Sequence, residues 1–308
     1  MVRINRILCP IDFSDYSRRA LDHACVIARW YDATVTVLYV YMRLPPALVP
    51  PELPVRDAVR LTPAEREQVQ ASVARFADAC NAPGRPLEIA VHEGWPAAGI
   101  LAEAERADLL VMGTHGRSGF DRLALGSVTE KVLRKTACPV LTIPRQTPEA
   151  VPAAPVGFQR ILCPIDFSDV SLRALEYAMS LAAGADARLT MLHVMVYDMS
   201  LEAPDLYGTV VSDRALSLDV LRERYETYAR TRLEALVPDP AQATCDVETA
   251  IGHGKPSREV LRAAEERQAD LIVMGATGHG ALDRMFFGAT TQHVVRQATC
   301  PVLTLRAP

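Results

Sequence analysis

Arg6-Ile7-Leu8-Cys9-Pro10-Ile11-Asp12-Phe13-Ser14-Asp15 occurs twice in this chain, returning unchanged at Arg160 to Asp169. The repeat extends beyond those ten residues. Ala107-Asp108-Leu109-Leu110-Val111-Met112-Gly113 returns as Ala269-Asp270-Leu271-Ile272-Val273-Met274-Gly275, and Cys138-Pro139-Val140-Leu141-Thr142 as Cys300-Pro301-Val302-Leu303-Thr304. The offset is 154 in the first block and 162 in the last, so the second copy carries eight extra residues, expected in its middle loops. A unit of about 150 residues has the size of a domain with its own core, far longer than a solenoid repeat. The sequence therefore predicts two domains, residues 1–147 and 157–308. They are joined by a linker at 148–156 that is rich in proline and alanine.

Composition narrows the function classes. Of 308 residues, 49% are apolar and 23% charged, which suits a globular protein. A net charge of -4 and a pI near 6.0 disfavour nucleic acid or an anionic membrane as partner. No apolar run approaches the length of a membrane span, and Met1 to Asp12 is too short in apolar residues for a signal peptide. The seven cysteines are odd in number and lack CxxC spacing. Cys9, Cys138, Cys163 and Cys300 recur in apolar runs before proline, which points to buried, reduced thiols and a cytoplasmic location.

Short β-branched runs alternate with helical patterns. Strands are expected at residues 4–11, 34–41, 87–91, 109–112 and 140–143. Helices are expected at about 14–30, 63–80, 96–106 and 127–136, with Ser14 capping the first and prolines opening two others. Prolines 45, 46, 50, 51 and 54 exclude a helix or central strand after the second strand and suggest an extended segment over the surface. The second half repeats this order, with a longer helix at about 213–236. Such alternation predicts parallel βαβ units, an α/β doubly wound sheet with helices on both faces. Ligands in such folds bind beyond the carboxyl ends of the strands, where the strand order reverses. That places the candidate sites after Ile11, Val40 and Met112, and after Ile165, Val194 and Met274.

The fourth strand is followed by Gly113-Thr114-His115-Gly116 and, nine residues later, by Gly126-Ser127 opening a helix. Glycines let a ligand approach the backbone, and a helix N-terminus offers free N–H groups to an anion. A phosphate cradle with the Ser127 hydroxyl as donor is the functional reading. The plainer one is a turn at Gly113 and Gly116 and a capping box over Ser127-Val128-Thr129-Glu130. Asp12 and Asp166 read as ligand contacts, or as caps of the helix that follows. His115 and His279 read as solvent-facing loop residues, with a phosphate contact as the other reading and no partner at metal-ligand spacing. Gly252-His253-Gly254-Lys255-Pro256 lacks the first glycine and the final hydroxyl of a Walker loop; Pro256, matching Pro96, opens a helix instead. No GxGxxG follows the first strand, which disfavours a dinucleotide.

With its G-x2-G-x9-G-S motif, its Pro10-Ile11-Asp12 and Pro164-Ile165-Asp166 corners and its Cys-Pro-Val-Leu strands, the chain resembles universal stress proteins of the ATP-binding type. The resemblance covers both halves. It implies two flavodoxin-like domains, each a five-stranded parallel sheet of order 3-2-1-4-5. It implies ATP at the switch point, often with a divalent ion such as Mg2+, and a regulatory role in the stress response. By carry-over, Asp12 would contact the sugar and the Val40 backbone the adenine, with Pro10 and Met112 also among the nucleotide-binding residues. Gly113, Gly116, Gly126, Ser127, Val128 and Thr129 would hold the phosphates, joined by Arg117. The last strand, Val140 to Ile143, resembles the family's dimerisation edge, so the two halves would pair through it as an intrachain pseudo-dimer; a homodimer of whole chains is the other option. A protein partner of unknown identity is implied.

Half 2 departs from the motif. Pro164, Asp166, Val194, Met274, Gly275, Gly278 and Gly288 keep their places, but Ala289 replaces the serine, with Thr290 one residue later. Arg117 corresponds to His279. Each loss could cost on the order of 1 kcal/mol, making the first cleft the tighter site. Nothing in the sequence identifies a catalytic base, so ATP binding leads. A slow ATPase and a nucleotide-independent interaction module are the alternatives.

Overall fold

In the computed structural model, residues 2–42, 61–78, 87–116, 125–144, 157–196, 218–238, 245–278 and 287–306 are described. The proline-rich loop, the interdomain linker, Arg117 and His279 lie outside them.

Half 1 runs β1 (Arg6–Ile11), α1 (Asp15–Tyr31), β2 (Thr34–Tyr41), α2 (Pro63–Asp78), β3 (Glu88–Glu93), α3 (Pro96–Ala104), β4 (Leu109–Gly113), α4 (Ser127–Lys135) and β5 (Val140–Ile143). Half 2 runs β6 (Arg160–Pro164), α5 (Asp169–Ala185), β7 (Arg188–Met195), α6 (Leu218–Glu234), β8 (Val247–His253), α7 (Pro256–Glu266), β9 (Leu271–Gly275), α8 (Ala289–Gln297) and β10 (Val302–Leu305). Not all of the second copy's extra residues fall in loops. Two follow Pro256, where α7 has 11 residues against 9 in α3.

Each half is a parallel sheet of order 3-2-1-4-5, and β5 pairs antiparallel with β10, so one ten-stranded sheet crosses the molecule. Leu141 faces Leu303 at the centre of that junction. Thr142 Oγ1 donates to the Val302 carbonyl at 3.0 Å, and Thr304 Oγ1 returns the bond to Val140 at 3.3 Å. Both edge strands are buried throughout, and pairing them removes two exposed sheet edges.

Alternation along the strands builds two cores. Ile7, Cys9, Val35 and Val37 face one layer with α1 and α5, while Leu8, Leu38 and Leu110 face the other with α3, α4, α7 and α8. Strands buried on both faces read as continuous apolar runs, which is why β1 and β4 show no polar alternation. The helices of the two halves also meet directly. Tyr31 Oη donates to Ser180 Oγ at 2.8 Å, and Trp30 packs where Gly184 leaves room, a Cβ there lying only 3.2 Å from the Trp30 Cβ.

Candidate functional site

Ser14 caps α1, its hydroxyl accepting from the Ser17 N–H at 3.2 Å. Asp12 is therefore not the cap. Its Oδ1 accepts from the Ser14 N–H at 3.1 Å and from the Ser14 hydroxyl, which holds the capping residue in place. Asp166 and Ser168 repeat the arrangement in half 2. Between aspartate and serine, Phe13 and Phe167 take left-handed φ values of 63° and 62°. A bulky side chain there is strained by about 1 kcal/mol or more. Ring contacts compensate: Phe13 with Tyr39 at 4.9 Å and Phe76 at 5.5 Å, Phe167 with His193 at 4.8 Å. The kink turns the chain from the strand into the helix and leaves the aspartate in the cleft wall.

Gly113, Gly116 and Gly126 do not have left-handed backbone; among the described glycines only Gly94 and Gly254 do. What the motif needs is space. A Cβ on Gly113 would lie 3.0 Å from the Tyr16 Cβ, and one on Gly126 would lie 3.1 Å from the Thr114 carbonyl oxygen. A Cβ on Gly116 would lie 2.9 Å from Asp12 Oδ2, so that glycine lets the aspartate and the loop meet. Gly278 faces Asp166 in the same way at 2.6 Å.

The capping box does not form. Gly126 is the N-cap of α4 and offers no side-chain cap, while Ser127 is the first helical residue. Glu130 instead pairs with Arg134 at 3.0 Å. The Gly126 N–H bonds the Thr114 carbonyl at 2.8 Å. The next three amides, of Ser127, Val128 and Thr129, have no intrahelical acceptor. The two hydroxyls of this turn differ in employment. Thr129 is buried and donates to the Gly113 carbonyl at 2.9 Å, tying α4 to β4. Ser127 is exposed, and its hydroxyl has no protein partner among the described residues. In half 2, Thr291 donates to Gly275 at 2.8 Å, while Ala289 and Thr290 occupy the first two helical positions.

These elements enclose a cleft of about 370 Å³ in half 1, within the usual range for a small-molecule site. Pro10, Asp12, Val40, Met112, Gly113, Gly116, Gly126, Ser127, Val128 and Thr129 all line it. Sequence reasoning missed Tyr39, Tyr41, Met42, Pro96 and Ile100, which line it too, as does His115. The carboxyl end of β2 was a visible signal for the first three, and Pro96 had been read only as a helix start. His115 is half-buried beside Tyr16, ring centroids 6.1 Å apart, which corrects the solvent-facing reading. A second cleft of about 530 Å³ gathers Pro164, Asp166, Val194, Met274, Gly275, Gly278, Gly288, Ala289 and Thr290. Gly254, with φ +123°, ends β8 beside it, and Pro256 starts α7, as the non-Walker reading requires.

A long apolar wall (Val40, Ile100, Met112) and a cluster of amides and one hydroxyl at the far end suit a ligand with a flat apolar part and an anionic tail. Among the described residues there is no group of three or more metal-ligating side chains, and no helix is long and apolar enough to cross a membrane.

Residues 3–144 and 157–306 each match the Universal stress protein family. A universal stress protein of Methanocaldococcus jannaschii is 36% identical over 151 residues, covering 49% of this chain and 84% of that protein. One from Bacillus subtilis is 32% identical over 149 residues, covering 48% of this chain and 99% of the relative. Each of these relatives is thus about half as long as the match to both copies would require. The crystal structure of a universal stress protein from Archaeoglobus fulgidus is similar along 99% of this chain and 97% of its own, with TM-score 0.64 and 24% identity, a likeness of fold.

Proposed function

The chain belongs to the universal stress protein family, and we propose that it is an adenine-nucleotide-binding regulatory protein of the stress response, with its principal site in the first cleft. The observation that carries this reading is the turn at Gly126–Thr129. Three helix amides without intrahelical acceptors and a serine hydroxyl without a partner line the same cleft as Asp12, Gly113 and Gly116. Phosphates would sit there. The ribose would meet Asp12, and adenine would lie along Val40, Met112 and Ile100, where Pro10 closes the wall. A Mg2+ ion would come with the triphosphate and be held by phosphate oxygens, since the described residues offer it no ligand cluster.

The second cleft has the same plan with Ala289 where Ser127 stands. Thr290 follows one step later, about 100° around the helix, so its hydroxyl points to a different part of the cleft. The second cleft is therefore the weaker site. The domain boundaries of the reading are residues 1–147 and 157–308, and pairing of β5 with β10 makes the chain its own pseudo-dimer.

Mass spectrometry of nucleotide released from the purified protein, followed by calorimetric titration with MgATP, tests the proposal. ATP at the micromolar level or tighter in one cleft and weaker in the other is the expected result. No retained nucleotide and no measurable binding would refute it.

A further inference from the structure

A third cavity, of about 520 Å³, opens where the two halves meet. It lies at the amino ends of β4 and β5, the opposite edge of the half 1 sheet from the first cleft, and shares no residue with either cleft. Its size is within the usual range for a small-molecule site. Half 1 supplies an apolar floor: Leu101 and Ala104 from the end of α3, Cys138 and Pro139 from the turn into β5. Half 2 supplies Arg173 and Tyr177, one turn apart on α5.

Three cations surround this floor, Arg3 and Lys135 from half 1 and Arg173 from half 2. Arg173 is held in place, since Nη1 donates to the Arg306 carbonyl at 2.9 Å and the guanidinium also hydrogen-bonds the Tyr177 phenol. The side chains of Arg3 and Lys135 have no ion-pair or hydrogen-bond partner among the described residues. Two carboxylates also line the cavity, yet they do not neutralise these cations. Asp108 Oδ2 accepts from the Asn5 and Arg6 amides at 2.7 and 2.9 Å, and Glu105 pairs with no cation among the described residues. A lone surface cation is ordinary, and the last turn of α4 favours Lys135 whatever lies near it. Neither reason gathers three cations from two domains around one apolar floor.

The equivalent seam on the other side of the pseudo-dimer is an internal control. Leu261, Ala264, Cys300 and Pro301 keep the floor, and Arg19 and His23 stand for Arg173 and Tyr177, but Gly157 and Gln297 replace Arg3 and Lys135. The fold thus forms that seam without the two cations. We propose that the cavity beside Arg173 binds an aromatic anion, a carboxylate or a phosphate ester. Its ring lies on the apolar floor next to Tyr177, and its charged group meets Arg3, Lys135 and Arg173. Because the walls come from both halves, the ligand fastens the seam and stabilises the folded chain. The site is independent of any nucleotide in the clefts.

Calorimetric titration with benzoate and with phenyl phosphate, without nucleotide, separates the two head groups. The double variant Arg3→Gly with Lys135→Gln installs the residues of the other seam at two exposed positions and removes the cations. Wild type should bind at least one probe saturably, and the variant should bind that probe about tenfold or more weakly. No saturable binding of either probe, or equal binding by the variant, would overturn the proposal. Cross-relaxation NMR on the wild type gives a readout independent of the variant's folding. Transfer between the ring protons of the bound probe and those of Tyr177 supports the site; a bound probe without that transfer overturns it.

Discussion

Ser127 and Thr129 stand two residues apart on the first turn of α4, yet removing their hydroxyls should have opposite consequences. Ser127→Ala deletes an exposed hydroxyl that no group among the described residues uses. Without ligand the fold should be unaffected, or more stable by up to about 0.5 kcal/mol, because alanine is the better helix former. With ligand, a hydrogen bond to a charged phosphate is lost, worth roughly 1.5 kcal/mol, about tenfold in affinity at the first cleft. Thr129→Val deletes a donor at 3% exposure and leaves the Gly113 carbonyl short of a partner at the junction of α4 and β4. That should cost about 1–3 kcal/mol of stability before any nucleotide is added. Urea denaturation of the nucleotide-free protein measures the first quantity, and calorimetric titration with MgATP the second. Binding by Ser127→Ala that equals wild type would refute the role given to this hydroxyl. A stability loss in Ser127→Ala as large as in Thr129→Val would refute the division of labour between the two.

The converse change, Ala289→Ser, should tighten the second cleft by a similar factor, about tenfold, and calorimetry should then resolve two sites of closer affinity. Leu303→Ala removes half of the Leu141–Leu303 contact at the centre of the ten-stranded sheet and should cost about 2–5 kcal/mol in urea denaturation; a loss under about 1 kcal/mol would mean the junction contributes little. Burial pushes the Cys138 and Cys300 thiols up to about 12 and raises Cys163 as well. A thiol reagent at about pH 8 should therefore label Cys25 and Cys245, which are partly exposed, while those three react only on unfolding. Burial also lowers the His23 imidazole below its ordinary 6.5, more than its bond to the Arg19 carbonyl restores. Because the unfolded chain takes up that proton first, stability should fall as pH drops below 6.5 and level off once the folded histidine charges too. His23→Gln should flatten the dependence of the urea midpoint between about pH 7 and pH 5, and an unchanged slope would speak against this assignment.

Some of this was legible in residue order alone. The duplicated Arg6–Asp15 stretch implied two copies, the strand–helix alternation implied parallel βαβ units, and strand ends placed Asp12, Val40 and Met112 at one rim. Those features depend on local periodicity and on chain reversal after each helix, both of which are written in short windows of sequence. The glycine motif marked a loop that lines the cleft, for an incomplete reason. Its glycines were read as room for a ligand or a turn, whereas side chains and carbonyls from α1 and from the loops after β1 and β4 also require them.

Tertiary structure decided the rest, because a polar group's role depends on which partner reaches it, and those partners are distant in the chain. Thr129 is structural since Gly113, sixteen residues away, accepts its proton; Ser127 is open to ligand since no described residue does. Nothing near Phe13 in sequence marks its left-handed backbone, which the rings of Tyr39 and Phe76 hold in place. The sequence by itself thus determined two copies of one α/β plan and the rim on which each cleft sits. Only the folded chain, by setting β5 against β10 and by assigning each hydroxyl its acceptor, decided that the two copies share one sheet and which of their polar groups remain for a ligand.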